Sequence, residues 1–134
     1  MFVDASAMVA ILTGEEEDIA LFHCLEGANH PITSALAIFE TASAVCRKKG
    51  LSVEAAEREV RGLLEQAQIR VVPMTDAEAH GALAAYARYG KGRGHPAKLN
   101  MGDCFAYACA RTHDVPLLFV GNDFSRTDIP SALA

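Results

Sequence analysis

Short apolar or β-branched runs alternate along this chain with segments of helical period, separated by glycine, proline and helix-capping residues. Phe2-Val3-Asp4-Ala5 reads as a short buried strand leading straight into an apolar helix over Ala7 to Leu12. Gly14 breaks that helix. A second is predicted over Glu15 to Glu26, with acids in its first turn as the helix dipole favours. Pro31-Ile32-Thr33 predicts a short strand, and Ser34 is placed to cap a helix that ends before Gly50. Ser52 opens another helix, running to about Gln68. β-branched content marks Ile69-Arg70-Val71-Val72 as a strand. Thr75 and Glu78 have the spacing of a capping box, so a helix follows to Tyr89. Gly90 to Pro96 predicts a flexible, basic loop, and Asn100 caps a helix from Met101 to about His113. The fully apolar run Leu117 to Val120 has the character of a central parallel strand, and Gly121-Asn122-Asp123 turns sharply into a last helical turn.

Strands alternating with helices predict an α/β fold with a mostly parallel sheet covered on both faces, and 134 residues suit one domain. In such sheets ligands bind beyond the carboxyl ends of the strands. Four acids fall there. Asp4 ends the first strand and Asp123 follows the last. Glu40 lies in the early turns of the helix after the second strand, and Asp103 in the first turn of the helix before the last strand.

Each acid has an ordinary alternative. Asp4 and Asp123 suit helix caps, and Asp103 completes a capping box with Asn100. Glu40 shares a helix face with Leu36, Ser43 and Ala44, where an unpaired carboxylate is costly; a metal ion or Arg47, further along, would partner it. Taken together, with no lysine or arginine beside any of them in sequence, the four predict an acidic pocket. Clustered carboxylates raise one another's pKa unless a cation neutralises them. Hard oxygen donors suit Mg²⁺ or Mn²⁺, and such ions activate water for phosphodiester hydrolysis.

The rest of the composition narrows the chemistry. The net charge of −5 argues superficially against nucleic acid, but becomes −1 once the four acids are set aside. No Asp or Glu occurs between Ala79 and Gly102, where Arg88, Lys91, Arg93 and Lys98 form a basic strip. Local charge of this kind governs phosphate attraction more than the global sum does. Lys91, Arg93 and Lys98 are therefore the candidates for holding an RNA backbone. Cys24, Cys46, Cys104 and Cys109 form no C-x-x-C pair and are expected to be reduced, packed thiols. The histidines match no metal or triad spacing, and Ser6 has no histidine partner. The apolar run Ala5 to Gly14 is too short for a membrane span, and Met1 leads directly into a strand, so a cytoplasmic protein is expected.

The blocks MFVDASAMVAIL (1–12), SALAIFETASAV (34–45), LNMGDCFAYACA (99–110) and PLLFVGNDFSRTDI (116–129) resemble the PIN-domain ribonucleases, specifically toxins of the VapC type. The likeness spans nearly the whole chain, in order. It implies an α/β/α sandwich around a short parallel sheet and a metal-dependent endoribonuclease leaving 3′-hydroxyl and 5′-phosphate ends. Asp4, Glu40, Asp103 and Asp123 fall where the family keeps its metal-binding acids. Ser6 matches a small hydroxyl residue that orients metal-bound water. Asp128, in the T-D of the last block, matches an additional acid of many members and is a further metal-ligand candidate. The resemblance also implies a homodimer and a cognate antitoxin that covers the active site, often inserting a basic side chain among the acids.

Other classes fit less well. A phosphoacceptor receiver domain needs an aspartate after a central strand and a lysine after a late one; Pro73-Met74 and Gly121-Asn122 stand there instead. A flap-cutting DNA nuclease of the same fold usually carries extra helical structures that this length does not accommodate. A PIN-like module that binds RNA or protein without turnover is the remaining alternative.

Overall fold

The computed structural model describes residues 1–133. In chain order the elements are β1 (Phe2–Val3), α1 (Ala5–Thr13), α2 (Asp18–Glu26), β2 (Ile32–Ser34), α3 (Ala35–Lys49) and α4 (Val53–Gln66). There follow β3 (Arg70–Val72), α5 (Asp76–Tyr89), α6 (Met101–Thr112), β4 (Leu117–Leu118) and a 3-10 turn over Phe124–Arg126. The strands pair in parallel in the order β3-β2-β1-β4. Phe2 faces Ile32 on one side and Leu117 on the other, so β1 is central. Successive strand residues point to opposite faces, yet Phe2 and Val3 are both fully buried. Helices therefore cover both faces, as the α/β reading predicts.

After β1 the chain steps outward to β2 and β3, then returns to lay β4 on the other side of β1. The strand order reverses between β1 and β4. In open α/β sheets the crevice at such a reversal is where ligands settle; Asp4 directly follows β1, and Asp123 lies five residues beyond the end of β4.

The predicted elements are all present, with instructive changes at their ends. Helix α1 begins at Ala5, two residues early, because Asp4 is extended and its side chain accepts Ser6 N–H at 3.0 Å as an N-cap. Helix α2 begins at Asp18, not Glu15. Gly14 takes the left-handed conformation (φ 66°) and Glu15 N–H turns back to Ala10 O at 3.0 Å, so the helix restarts later. The caps at Ser34, Ser52, Thr75 and Asn100 form as read, the last two as full capping boxes.

Two expectations need correction. The run Leu117 to Val120 is not a central strand: only Leu117–Leu118 pair, and β4 ends the strand order. Its apolar character reports burial by other means. The C-terminal segment covers the open edge, Leu117 donating to Pro130 O and accepting from Ala132 N, both at 2.9 Å. The glycine-rich loop after α5 is also less free than its composition predicts. Lys91 N donates to Leu99 O and Leu99 N to Tyr89 O, each at 2.9 Å, while Ala97 and Leu99 are fully buried and His95 packs edge-on against Tyr89.

All four cysteines are free thiols; Cys104 and Cys109 are buried, and burial pushes both up to about 11, which suits packing and not reactivity. Among the described residues, no helix is long and apolar enough to cross a membrane.

Candidate metal centre

Asp4 is only 4% exposed at the carboxyl end of the central strand. Its Oδ2 accepts both Ser6 N–H at 3.0 Å and the Ser6 hydroxyl at 2.6 Å. The same hydroxyl oxygen accepts Val120 N–H at 3.1 Å. Ser6 thus ties the acid after β1 to the segment that leaves β4 and carries Asp123. Burial raises the Asp4 pKa, opposed by the Ser6 hydrogen bonds and assisted by the negative charge of Asp123.

Glu40 is half-buried on α3. Its pKa is raised to about 7, first by burial and then by Asp4 and Asp103. Arg47, the alternative partner, is turned away and donates to Ser43 Oγ at 2.8 Å. Asp103 keeps its capping role, Oδ2 accepting Asn100 N–H at 3.1 Å. Burial nevertheless lifts it to about 6, against the Asn100 hydrogen bond and with help from Asp4 and Asp123. Asp123 is exposed and makes no side-chain capping bond to the 3-10 turn, so a cap does not explain it.

The capping alternatives therefore hold for Asp4 and Asp103 and fail for Asp123. Capping and clustering coexist, because each cap engages Oδ2 and leaves the other oxygen outside it. Each of the four acids is coupled to another of the set: Asp123 acts on Asp4 and Asp103, Asp4 on Asp103 and Glu40, and Asp103 on Glu40. Among the described residues, no lysine, arginine or histidine forms a salt bridge with any of them. The donors are carboxylate oxygens, the chemistry a hard divalent cation prefers. As they stand, no three His, Cys, Asp or Glu side chains among the described residues make a ready ligand set for an ion.

Asp128 belongs to a different cluster. Its carboxylate accepts a hydrogen bond from Tyr107 and pairs with Arg111 at 3.0 Å and Arg88 at 3.4 Å. The Tyr107 hydrogen bond and Arg111 hold it down to about 2, and none of the four acids contributes to that shift. The structure thus separates Asp128 from the acidic group. Tyr107 and Arg111 escaped the sequence reading, although their i, i+4 spacing on one helix was a usable signal.

Lys91, Arg93 and Lys98 are exposed and form no salt bridge among the described residues, whereas Arg88 of the same strip is committed to Asp128. Arg93 lies over the Tyr86 ring at 5.9 Å. Gly102 is a third residue that sequence reasoning missed: a Cβ there would meet the Glu40 carboxylate. Its place directly before Asp103 was the only hint.

The match to known proteins decides the family. The PIN domain model covers residues 1–130. This chain is a PIN-domain protein. Within that family it is 40% identical to ribonuclease VapC28 of Mycobacterium tuberculosis over 133 residues, 99% of this chain and 98% of the relative. Ribonuclease VapC30 of the same organism is 41% identical over 130 residues, 96% and 95% of the two chains. The crystal structure of Mycobacterium tuberculosis VapC20, a sarcin-ricin loop cleaving toxin, shares the PIN fold with a TM-score of 0.75. At 19% identity, over 96% of this chain and 95% of that one, it speaks to the fold alone.

The shifted carboxyls of this PIN domain make its stability pH-dependent in a definite direction. Folded Glu40 (about 7) and Asp103 (about 6) keep protons that the unfolded chain, at 4.5 and 3.8, has already released. Folding then takes up protons, so metal-free stability is highest at mildly acidic pH and falls as pH rises from about 4 to about 7. Denaturant melts at pH 5 and pH 8 are expected to show this loss. Glu40→Gln should recover about 1–2 kcal/mol at pH 8, a figure reduced for partial solvent screening. An unchanged or lowered stability would refute the strain.

Proposed function

We propose that this chain is the toxin of a toxin–antitoxin pair, an endoribonuclease that hydrolyses RNA phosphodiesters with Mg²⁺ or Mn²⁺. The observation that carries the reading is four electrostatically coupled carboxylates near the β1/β4 reversal, none of them in a salt bridge with a basic side chain among the described residues. Asp4, Glu40, Asp103 and Asp123 would hold the metal. A divalent ion, when bound, lowers the pKa of water and polarises the scissile phosphate. The residues of the chain do the rest. Ser6 holds Asp4 through its one proton and anchors the strand end before Asp123, a role of alignment more than of contact with water. The Asn100 cap fixes the Asp103 side chain, so its charge enters the cleft in one orientation. Asp128 supports the neighbouring helices through Tyr107, Arg88 and Arg111 and is left out of the ligand set. The products are a 3′-hydroxyl and a 5′-phosphate.

The decisive assay is cleavage of labelled total RNA with Mg²⁺, with Mn²⁺ and with EDTA. Discrete fragments should vanish with EDTA and fall about a hundredfold or more in Asp4→Asn and Asp103→Asn, as lost charge stabilisation requires. Fragments ending in 2′,3′-cyclic phosphate would instead indicate attack by the ribose hydroxyl. No cleavage, with metal demonstrably bound, would favour the binding-only module.

Lys91, Arg93 and Lys98 are the residues assigned to the RNA backbone, being the uncommitted cations of a loop that leads into the Asn100–Asp103 capping box. Neutralising all three is expected to reduce the salt slope of single-strand RNA binding by about 2, at about 0.7 per phosphate contact. An unchanged slope removes the loop from the interface.

The expected homodimer has apolar surface available, since Phe39, Leu83 and Met101 are each more than 60% exposed. Sedimentation equilibrium is expected to show a dimer that Leu83→Glu with Met101→Glu weakens; a monomeric parent would end that part of the reading. The cognate antitoxin would present a basic side chain to the four acids, and the compartment is the cytoplasm. Co-purification from the native operon tests the partner, and fractionation tests the compartment.

A further inference from the structure

Gly102 is the second residue of α6, buried, with Glu40 of α3 directly over it. A Cβ built on Gly102 would stand 2.0 Å from Glu40 Oε2, 2.6 Å from its Cδ and 2.7 Å from Oε1. The other glycines inside helices are not placed this way. At Gly62 a Cβ would meet nothing within 4 Å, and at Gly81 the nearest atom is the Ala108 Cβ at 3.2 Å. Gly102 does not have the positive φ that demands glycine. Glycine also weakens a helix relative to alanine. Backbone geometry therefore gives no reason for it. What its missing side chain provides is room for one carboxylate.

We infer that Gly102 is a positioning residue: without a Cβ, the first turn of α6 receives the Glu40 carboxylate and holds it beside Asp103. The inference rests on the metal-nuclease reading for its consequence, and on geometry alone for the contact. Among the described residues, no basic side chain gives Glu40 a hydrogen bond or ion pair at this place. The open space at Gly102 on α6 forms the seat. A methyl group at 102 would evict the carboxylate, and the flexible end of the Glu40 side chain would swing away while the helix stayed intact. The loss should therefore fall on cation affinity and on turnover, not on folding.

Mn²⁺ binding, read by electron paramagnetic resonance, and thermal melting of the metal-free protein together test this. Gly102→Ala should melt within about 3 °C of the parent and bind Mn²⁺ about tenfold or more weakly, the usual cost of disturbing what orients a ligand. Its kcat should fall with little change in KM for RNA. Gly62→Ala, a matched helical control, should keep parental affinity. Should Gly102→Ala fold poorly, a metal-free comparison remains. Gly102→Ala added to Glu40→Ala should melt above Glu40→Ala alone, because no carboxylate then opposes the new methyl. Parental Mn²⁺ affinity in a folded Gly102→Ala protein, or no gain in the double variant, would overturn the inference. A parent that binds no Mn²⁺ would instead refute the metal reading, and the melting comparison would still judge the contact.

Discussion

Negative charge without an answering positive charge is the constraint around which this molecule is organised. A carboxylate almost wholly removed from water at the end of the central strand loses hydration that nothing on the protein fully restores. Glu40 and Asp103 add to the same field from two helices, and Asp123 from the end of β4. A folded domain normally relieves such a cluster with an arginine or a lysine. Here several basic side chains are engaged elsewhere, Arg47 with Ser43, Arg88 and Arg111 with Asp128, Lys48 with Glu15, while Lys91, Arg93 and Lys98 stay in solvent. Among the described residues the cluster has no basic partner, which is the basis for proposing that a cation completes it.

Structural and chemical duties are shared within single side chains. Asp4 and Asp103 are true helix caps, each spending Oδ2 on the backbone or on Ser6. Capping locks the side-chain rotamer, so the orientation of the charge follows from the start of the helix. Ser6 extends this economy, because its hydroxyl joins Asp4 at the end of β1 to Val120, two residues beyond β4. The same contacts that stabilise α1 and α6 thereby align the two sides of the cleft.

The basic strip divides in two for a related reason. Arg88 lies on α5, within reach of Asp128 and stacked over the Tyr89 ring, so its charge is committed to holding the C-terminal segment. Lys91, Arg93 and Lys98 lie on a loop pinned by Leu99 and Tyr89, and their charges stay in solvent. A pinned loop presents its cations at a fixed place, at a lower entropic cost on binding than a free one.

The sequence by itself determined the element order, the caps at Ser34, Ser52, Thr75 and Asn100, the parallel α/β class and the four acids. Those features depend on local patterning or on residue type, which a linear reading captures. Tertiary structure decided what depends on distant neighbours. Asp128 reads in sequence as a further ligand candidate, yet Tyr107 and Arg111 from another element take its charge. Leu117 to Val120 looks like a central strand because apolarity records burial, not strand order; the Pro130–Ala132 segment does the covering. The value of Gly102 is likewise invisible locally, since the atom it makes room for is Glu40 Oε2, brought there only when α3 packs on α6.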